Sequence, residues 1–239
     1  HLGLIVWQDM PNGAKEVKEL PSLLIHFFGA RRKDHNYRLA GRSNPEARLD
    51  FRRELQEMVE ALHNFACVGM WVPFNEGWGQ FDARATAAWL DDYDPTRPVD
   101  HASGWYDQGG GDCKSLHVYF KALPVVKPEK KRAAVLSEFG GYALRLEGHL
   151  WNPAVEFGYR KYNSPEALTE AYLELLETQL KPWIAAGLSA AIYTQTTDVE
   201  IEVNGYLTYD RVVEKMDFGQ VRAAHEELFM VEGNSGVSH

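Results

Sequence analysis

Cysteine is scarce in this chain of 239 residues: there are two, Cys67 and Cys113. Two thiols are too few for a disulfide framework, and they form no C-x-x-C pair. They do not fix a compartment, and the localisation stays open. No apolar run approaches the roughly 20 residues of a membrane span, so we expect no membrane partner. An excess of positive charge is also missing. Lysine and arginine number 25 against 34 aspartates and glutamates, a net charge of −9. Such a chain lacks the basic footprint that phosphate-backbone binding needs, and no nucleic-acid partner is expected. The nine histidines include no H-x-x-x-H pair of the kind that marks a zinc helix. Internal repeats, low-complexity tracts and a Gly/Pro/Ser linker are absent too. The composition, 45% hydrophobic and 25% charged, excludes a disordered or fibrous chain. At about 150 residues per domain, the length allows one large domain or two small ones.

What is present is an alternation of two kinds of segment. Short apolar runs at Leu4–Trp7, Val68–Phe74, Val99–Ala102, Leu116–Tyr119, Ala133–Leu136 and Ala190–Thr194 predict strands buried on both faces of a parallel sheet. Helical patterns lie between them. One opens at Ser43-Asn44-Pro45, with a capping Asn and a Pro at the first helical position, and repeats Leu55, Met58, Val59 and Leu62 at helical spacing. A second runs from about Phe81 to Tyr93. A third starts at Ser164-Pro165-Glu166 and continues to about Ala186, with Gly187 as its C-cap. A fourth covers about Gln220 to Phe229. Strand–helix alternation of this length predicts a parallel α/β fold, either doubly wound or an eight-stranded barrel. The chain enters Leu2-Gly3-Leu4-Ile5-Val6-Trp7 directly from His1, which reads as the interior of a domain, so the lack of a visible signal peptide carries no information.

The chemistry sits where strands end. Val68–Phe74 runs into Asn75-Glu76-Gly77-Trp78-Gly79-Gln80, and Ala133–Leu136 into Ser137-Glu138-Phe139-Gly140-Gly141. Each strand thus delivers a glutamate and then glycines that let the backbone come close to something. In a parallel barrel the C-terminal strand ends form the active face. Two carboxyls converging there are the equipment of glycosidic bond cleavage, one holding a proton and the other a charge. A lone glutamate at such a place is often only a helix N-terminal residue favoured by the macrodipole; two in the same context favour chemistry.

These segments resemble a known family. Trp71-Val72-Pro73-Phe74-Asn75-Glu76-Gly77-Trp78-Gly79-Gln80-Phe81-Asp82 is similar to the acid/base segment of glycoside hydrolase family 2, the β-galactosidase and β-glucuronidase family, and Ser137-Glu138-Phe139-Gly140-Gly141 to its nucleophile segment. Leu2–Asn12, Asp94–Pro98, His101–Trp105 and His117–Tyr119 resemble further strands of the same barrel, in the same order. The resemblance implies a partial (β/α)8 TIM barrel, strands three to eight. It implies one catalytic domain over residues 1–239, lacking the first two βα units and the family's N-terminal β-sandwich domains. It also implies a retaining β-glycosidase acting on a carbohydrate substrate; from the residues no cofactor and no metal ligand set is expected, and a structural metal ion is left open. Glu76 would be the acid/base and Glu138 the nucleophile. Asn75 would bond the sugar 2-hydroxyl, Tyr119 would hold the Glu138 carboxylate, and His117 would line the pocket; the last strand would lead to Gln195. Partners would be the missing barrel segment or other domains of a parent chain, and a second copy in a homo-oligomer.

Further candidates come from the residues themselves. Trp78 and Trp105 follow strands and have faces suited to stacking on a sugar, or to packing at the barrel top. Asp9 ends the first strand, where a structural hydrogen bond competes with substrate contact. His101 reads as structural. Asp198, Glu200 and Glu202 are read as solvent-facing carboxylates rather than a metal loop, and Lys127–Arg132 as a solvated basic face. The chain departs from the family at Phe120, where relatives have proline, and at Tyr193 and Gln195, where no tryptophan ends the last strand. A second function class is a carbohydrate-binding barrel domain without turnover. A metal-dependent lyase barrel would need carboxylates on three successive strand ends, and Asp9, Glu76 and Glu138 do not fall so.

Overall fold

The computed structural model describes residues 3–14, 33–119 and 129–231. They form a mixed α/β fold with parallel strand pairing, divided into two compact units: residues 1–116 with 129–133, and residues 117–128 with 134–239. Phe120, Lys127 and Pro128 lie outside the described residues.

In the first unit, β1 (Val6–Asp9) and β2 (Val68–Val72) pair in parallel, with Trp7 opposite Met70 and Asp9 opposite Val72. On the other side of β2, residues 98–103 run alongside as bridges rather than a continuous strand: Trp71 to Val99, and Asn75 to Ser103, both parallel. Helix α1 (Pro45–Leu62) starts as the sequence predicts, with the Asn44 side chain accepting from the Glu46 amide. Phe51, Leu55 and Val59, four apart, form its buried stripe. Helix α2 (Ala83–Tyr93) has no side-chain cap of its own. Asp34 performs that task from a distance, accepting from the Ala83 amide at 2.8 Å. The core is built where α1 and α2 cover β2: Phe51 stacks on Phe74 at 5.1 Å, and both meet Phe81 edge-on. Leu4 and Ile5, predicted as buried, are 69% and 75% exposed. Among the described residues β1 pairs on one side only, so its outer residues gain no cover.

The second unit centres on a sheet in the order β3–β4–β7, comprising the end of β3 (Cys113–Val118), β4 (Ala133–Gly140) and β7 (Leu188–Thr194). β4 and β7 run parallel, with Ala134 opposite Leu188 and Gly140 opposite Thr194. Two three-residue strands, β5 (Tyr142–Leu144) and β6 (Arg160–Tyr162), pair beside it; neither is long enough to leave a pattern in the sequence. Helix α3 (Pro165–Leu175) is capped by Ser164, whose hydroxyl accepts from Ala167 N. The helix expected to reach about residue 186 does run on to Ala185, but its hydrogen-bond pattern changes on the way. A π-helical turn (Leu176–Leu180) widens before the short α4 (Lys181–Ala185). Pro182 lacks the N–H that a regular α-helix would aim at residue 178, which accounts for the widening. Helix α5 (Phe218–Leu228) is capped by Asp217 accepting from Gln220 N. Among the described residues, no helix is long and apolar enough to cross a membrane.

Candidate active site

The predicted site residues divide between the units. The first contains Asp9, Asn75, Glu76, Trp78 and Trp105; the second contains His117, Tyr119, Glu138 and Gln195.

In the first unit, Asn75 and Glu76 follow β2 in a tight turn closed by the Trp78 amide on the Asn75 carbonyl at 3.0 Å. Glu76 has φ +51° and Gly77 φ +71°. A glutamate in the left-handed region costs about 1 kcal/mol or more and persists only where its surroundings hold it. The hold here is the Glu76 amide, which donates to the Ser103 carbonyl at 2.9 Å, while the Ser103 amide donates to Phe74 O at 2.8 Å. Gly77 is required: an added Cβ would lie 2.0 Å from a ring carbon of Tyr106. Asn75 Oδ1 is buried with no hydrogen-bond partner among the described residues, so it is open to a donor from water or a ligand. Trp78 is 40% exposed, Trp105 is half-buried, and Asp9 is exposed at the end of β1. His101 is buried, its Nε2 near the Gln108 amide at 3.0 Å and Asp107 Oδ1 at 3.1 Å, in keeping with a structural residue.

In the second unit, Glu138 lies within β4 rather than after it, because the strand continues to Gly140. Its Oε2 accepts two hydrogen bonds: from Tyr119 Oη at 2.5 Å and from Thr194 Oγ1 at 3.0 Å. His117 Nδ1 is 3.2 Å from Tyr119 Oη and 3.7 Å from Glu138 Oε1. Tyr159 stacks on Tyr119 with ring centres 4.0 Å apart and planes 5° from parallel. The glycines after Glu138 do bring the backbone close to something, and that something is aromatic. An added Cβ would lie 2.3 Å from a Tyr193 ring carbon at Gly140, and 2.3 Å from one of Tyr159 at Gly141.

Gln195 is committed to its own loop. Its Nε2 donates to Asn204 Oδ1 at 2.6 Å and Glu202 Oε2 at 3.2 Å. Of the three carboxylates read as solvent-facing, only Glu200 is exposed; Asp198 is buried against Lys215 at 2.7 Å. Thr194 and Tyr159 were not singled out from the sequence. Thr194 carries no sequence signal, since a threonine ending an apolar run reads as an ordinary strand former.

No protein-family model matches the sequence, and no curated protein matches it. Solved structures resemble it in fold. One is a GH2 β-galacturonidase from Eisenbergiella tayi bound to galacturonate, 14% identical with a TM-score of 0.54, covering 81% of this chain and 39% of that one. Another is a β-glucuronidase from an uncultured Clostridium species, 13% identical with a TM-score of 0.54, covering 95% and 40%. The chain therefore spans about two-fifths of the length of these structures. At such identity the likeness is one of fold.

Proposed function

We propose that this chain carries the catalytic machinery of a retaining β-glycoside hydrolase of the β-galactosidase-like kind, on a (β/α)8 barrel to which the described strands contribute strands three to eight. The observation that carries the reading is the hold on Glu138. A carboxylate on the central strand of a sheet, bonded by two neutral hydroxyls, is fixed in direction while its charge is kept. A nucleophile needs both. The orphaned Asn75 Oδ1 beside Glu76 supports a sugar hydroxyl as the missing donor, and both fold neighbours bear glycosidase names.

In this reading Glu138 attacks the anomeric carbon while Glu76 gives its proton to the leaving oxygen, forming a glycosyl-enzyme. Water then attacks the same carbon, Glu76 takes its proton, and the sugar leaves with the configuration it arrived with. Asn75 receives the 2-hydroxyl, and Trp78 and Trp105 offer ring faces to the sugar. Gln195 and His117 line the pocket.

The experiment separates the two glutamates in the natural full-length protein, using a panel of nitrophenyl β-glycosides to find the sugar. Glu138→Ala loses activity on every leaving group, and azide restores cleavage of an activated substrate with inverted product. Glu76→Ala keeps glycosylation by a dinitrophenyl glycoside but loses poor leaving groups by about 10²–10⁴-fold, the usual worth of general acid–base help. Azide then speeds the second step with retained configuration. Equal losses on all leaving groups, with no azide effect on either variant, overturn the assignment; sugar binding with no turnover of any glycoside identifies a binding domain instead.

A further inference from the structure

We propose that Thr194 is a positioning residue that selects which oxygen of Glu138 attacks. The proposal rests on the reading of Glu138 as the nucleophile. β4 is flanked by β3 and β7, and each neighbour sends one hydroxyl to the same carboxylate oxygen. Tyr119, the residue after β3, reaches Oε2 at 2.5 Å; Thr194, the last residue of β7, reaches it at 3.0 Å.

Counting protons fixes the rest. A tyrosine hydroxyl has one hydrogen, and toward an ionised carboxylate it must donate it. Tyr119 Oη therefore acts as acceptor toward His117 Nδ1 at 3.2 Å, which places the imidazole hydrogen on Nδ1. That hydrogen is engaged by Tyr119, and Oε1 is 3.7 Å from Nδ1, beyond hydrogen-bond length. Oε2 thus holds both hydroxyl donors, and Oε1 presents the electron pair that attacks. Tyr119 alone leaves the carboxylate free to turn about its last bond and exchange the two oxygens; a second donor from the opposite side blocks that turn. Threonine suits the task because its branched Cβ restricts χ1 on a strand and holds the hydroxyl in one direction.

The test compares Thr194→Val, which keeps the shape and removes the donor, with Thr194→Ser, which keeps the donor on a looser stem. The probes are 2-deoxy-2-fluoro β-glycosyl fluorides of galacto, gluco and glucurono configuration, read by mass spectrometry of the labelled peptide, with pH profiles on the matching dinitrophenyl glycoside. The wild type is expected to be labelled at Glu138. Thr194→Val should label about tenfold more slowly, with KM changed less than twofold. The acidic limb of its kcat/KM profile should lie about one pH unit higher, the shift equivalent to that factor. Thr194→Ser should recover most of both effects. Labelling of the Val variant at the wild-type rate with an unmoved acidic limb overturns the role of Thr194 and leaves the nucleophile standing. Slower labelling with an unmoved limb, or with no recovery by Ser, marks Thr194 as structural packing and also overturns the proposal. A wild type that carries no label on Glu138 overturns both readings.

Discussion

Replacing Lys215 with methionine should unfold the second unit at a much lower denaturant concentration. The Lys215 side chain is fully buried, with Nζ 2.7 Å from Asp198 Oδ1 and 2.8 Å from the Val203 carbonyl. Asp198 Oδ1 also accepts from the Gly205 amide at 2.7 Å. Burial lowers the Lys215 pKa, and Asp198 opposes that shift; burial raises that of Asp198, and Lys215 opposes it. Burial is the larger influence on both groups, and each partner's charge is what opposes it. Methionine fills the space of the alkyl stem but leaves a buried carboxylate without a counter-charge, which costs about 3–5 kcal/mol. At a urea m-value of about 2 kcal/mol/M, the midpoint at pH 7 should fall by about 2 M. The double change Asp198→Asn with Lys215→Met removes both charges and should regain most of the loss, because no lone ion stays buried. Far-UV circular dichroism in urea follows the wild type and both variants. The same loop carries the bond from the Gln195 amide to Asn204 O, so slack in it reaches the end of β7 where Thr194 stands. A single variant that loses less than about 1 kcal/mol, or a double variant no better than the single, would refute the ion pair as the fastening of this loop.

Acid should weaken the first unit in a defined window. Burial acts to raise the Asp94 pKa, but hydrogen bonds from Thr96, Trp71 and Arg97 outweigh it and hold the value at about 2. A depressed carboxyl contributes stability above its unfolded pKa of about 3.9 and loses it as pH falls through the folded value; about 2 kcal/mol should disappear between about pH 4 and pH 2, and Asp94→Asn should flatten that part of a pH–stability curve. Gly205→Ala should cost about 1–3 kcal/mol by overpacking, since its Cβ would lie 2.3 Å from the backbone of Thr197 and Asp198; an unchanged melting temperature would show that the loop yields. Phe51→Ala, removing a ring stacked on Phe74 and edge-on to Phe81, should destabilise by about 3–5 kcal/mol in chemical denaturation.

What could be read from the sequence was what neighbouring residues decide together. Asn44-Pro45 and Ser164-Pro165 mark helix starts because capping is settled within three residues, and both helices begin there. The helical stretch from Pro165 ends at Ala185, about where the pattern before Gly187 predicts, and only its π-helical widening ahead of Pro182 leaves no periodic signal. What escaped the sequence depends on partners that arrive from far along the chain. Asp198, Glu200 and Glu202 alternate like solvent-facing carboxylates, and nothing within ten residues shows that Lys215 will bury the first of them. The glycines after Glu138 signal a close approach, but that the approaching groups are Tyr193 and Tyr159 follows from the pairing of β4 with β7 and from the return of the chain at residue 159. Thr194 is the sharpest case. Its hydroxyl matters only because the β4–β7 register sets Gly140 opposite it, which leaves Glu138, two residues earlier on its strand, within reach across 56 positions of sequence. A glutamate before glycines announces that a carboxyl is offered at a strand end. Which groups hold that carboxyl, and therefore which of its oxygens is left to react, is decided by strand order.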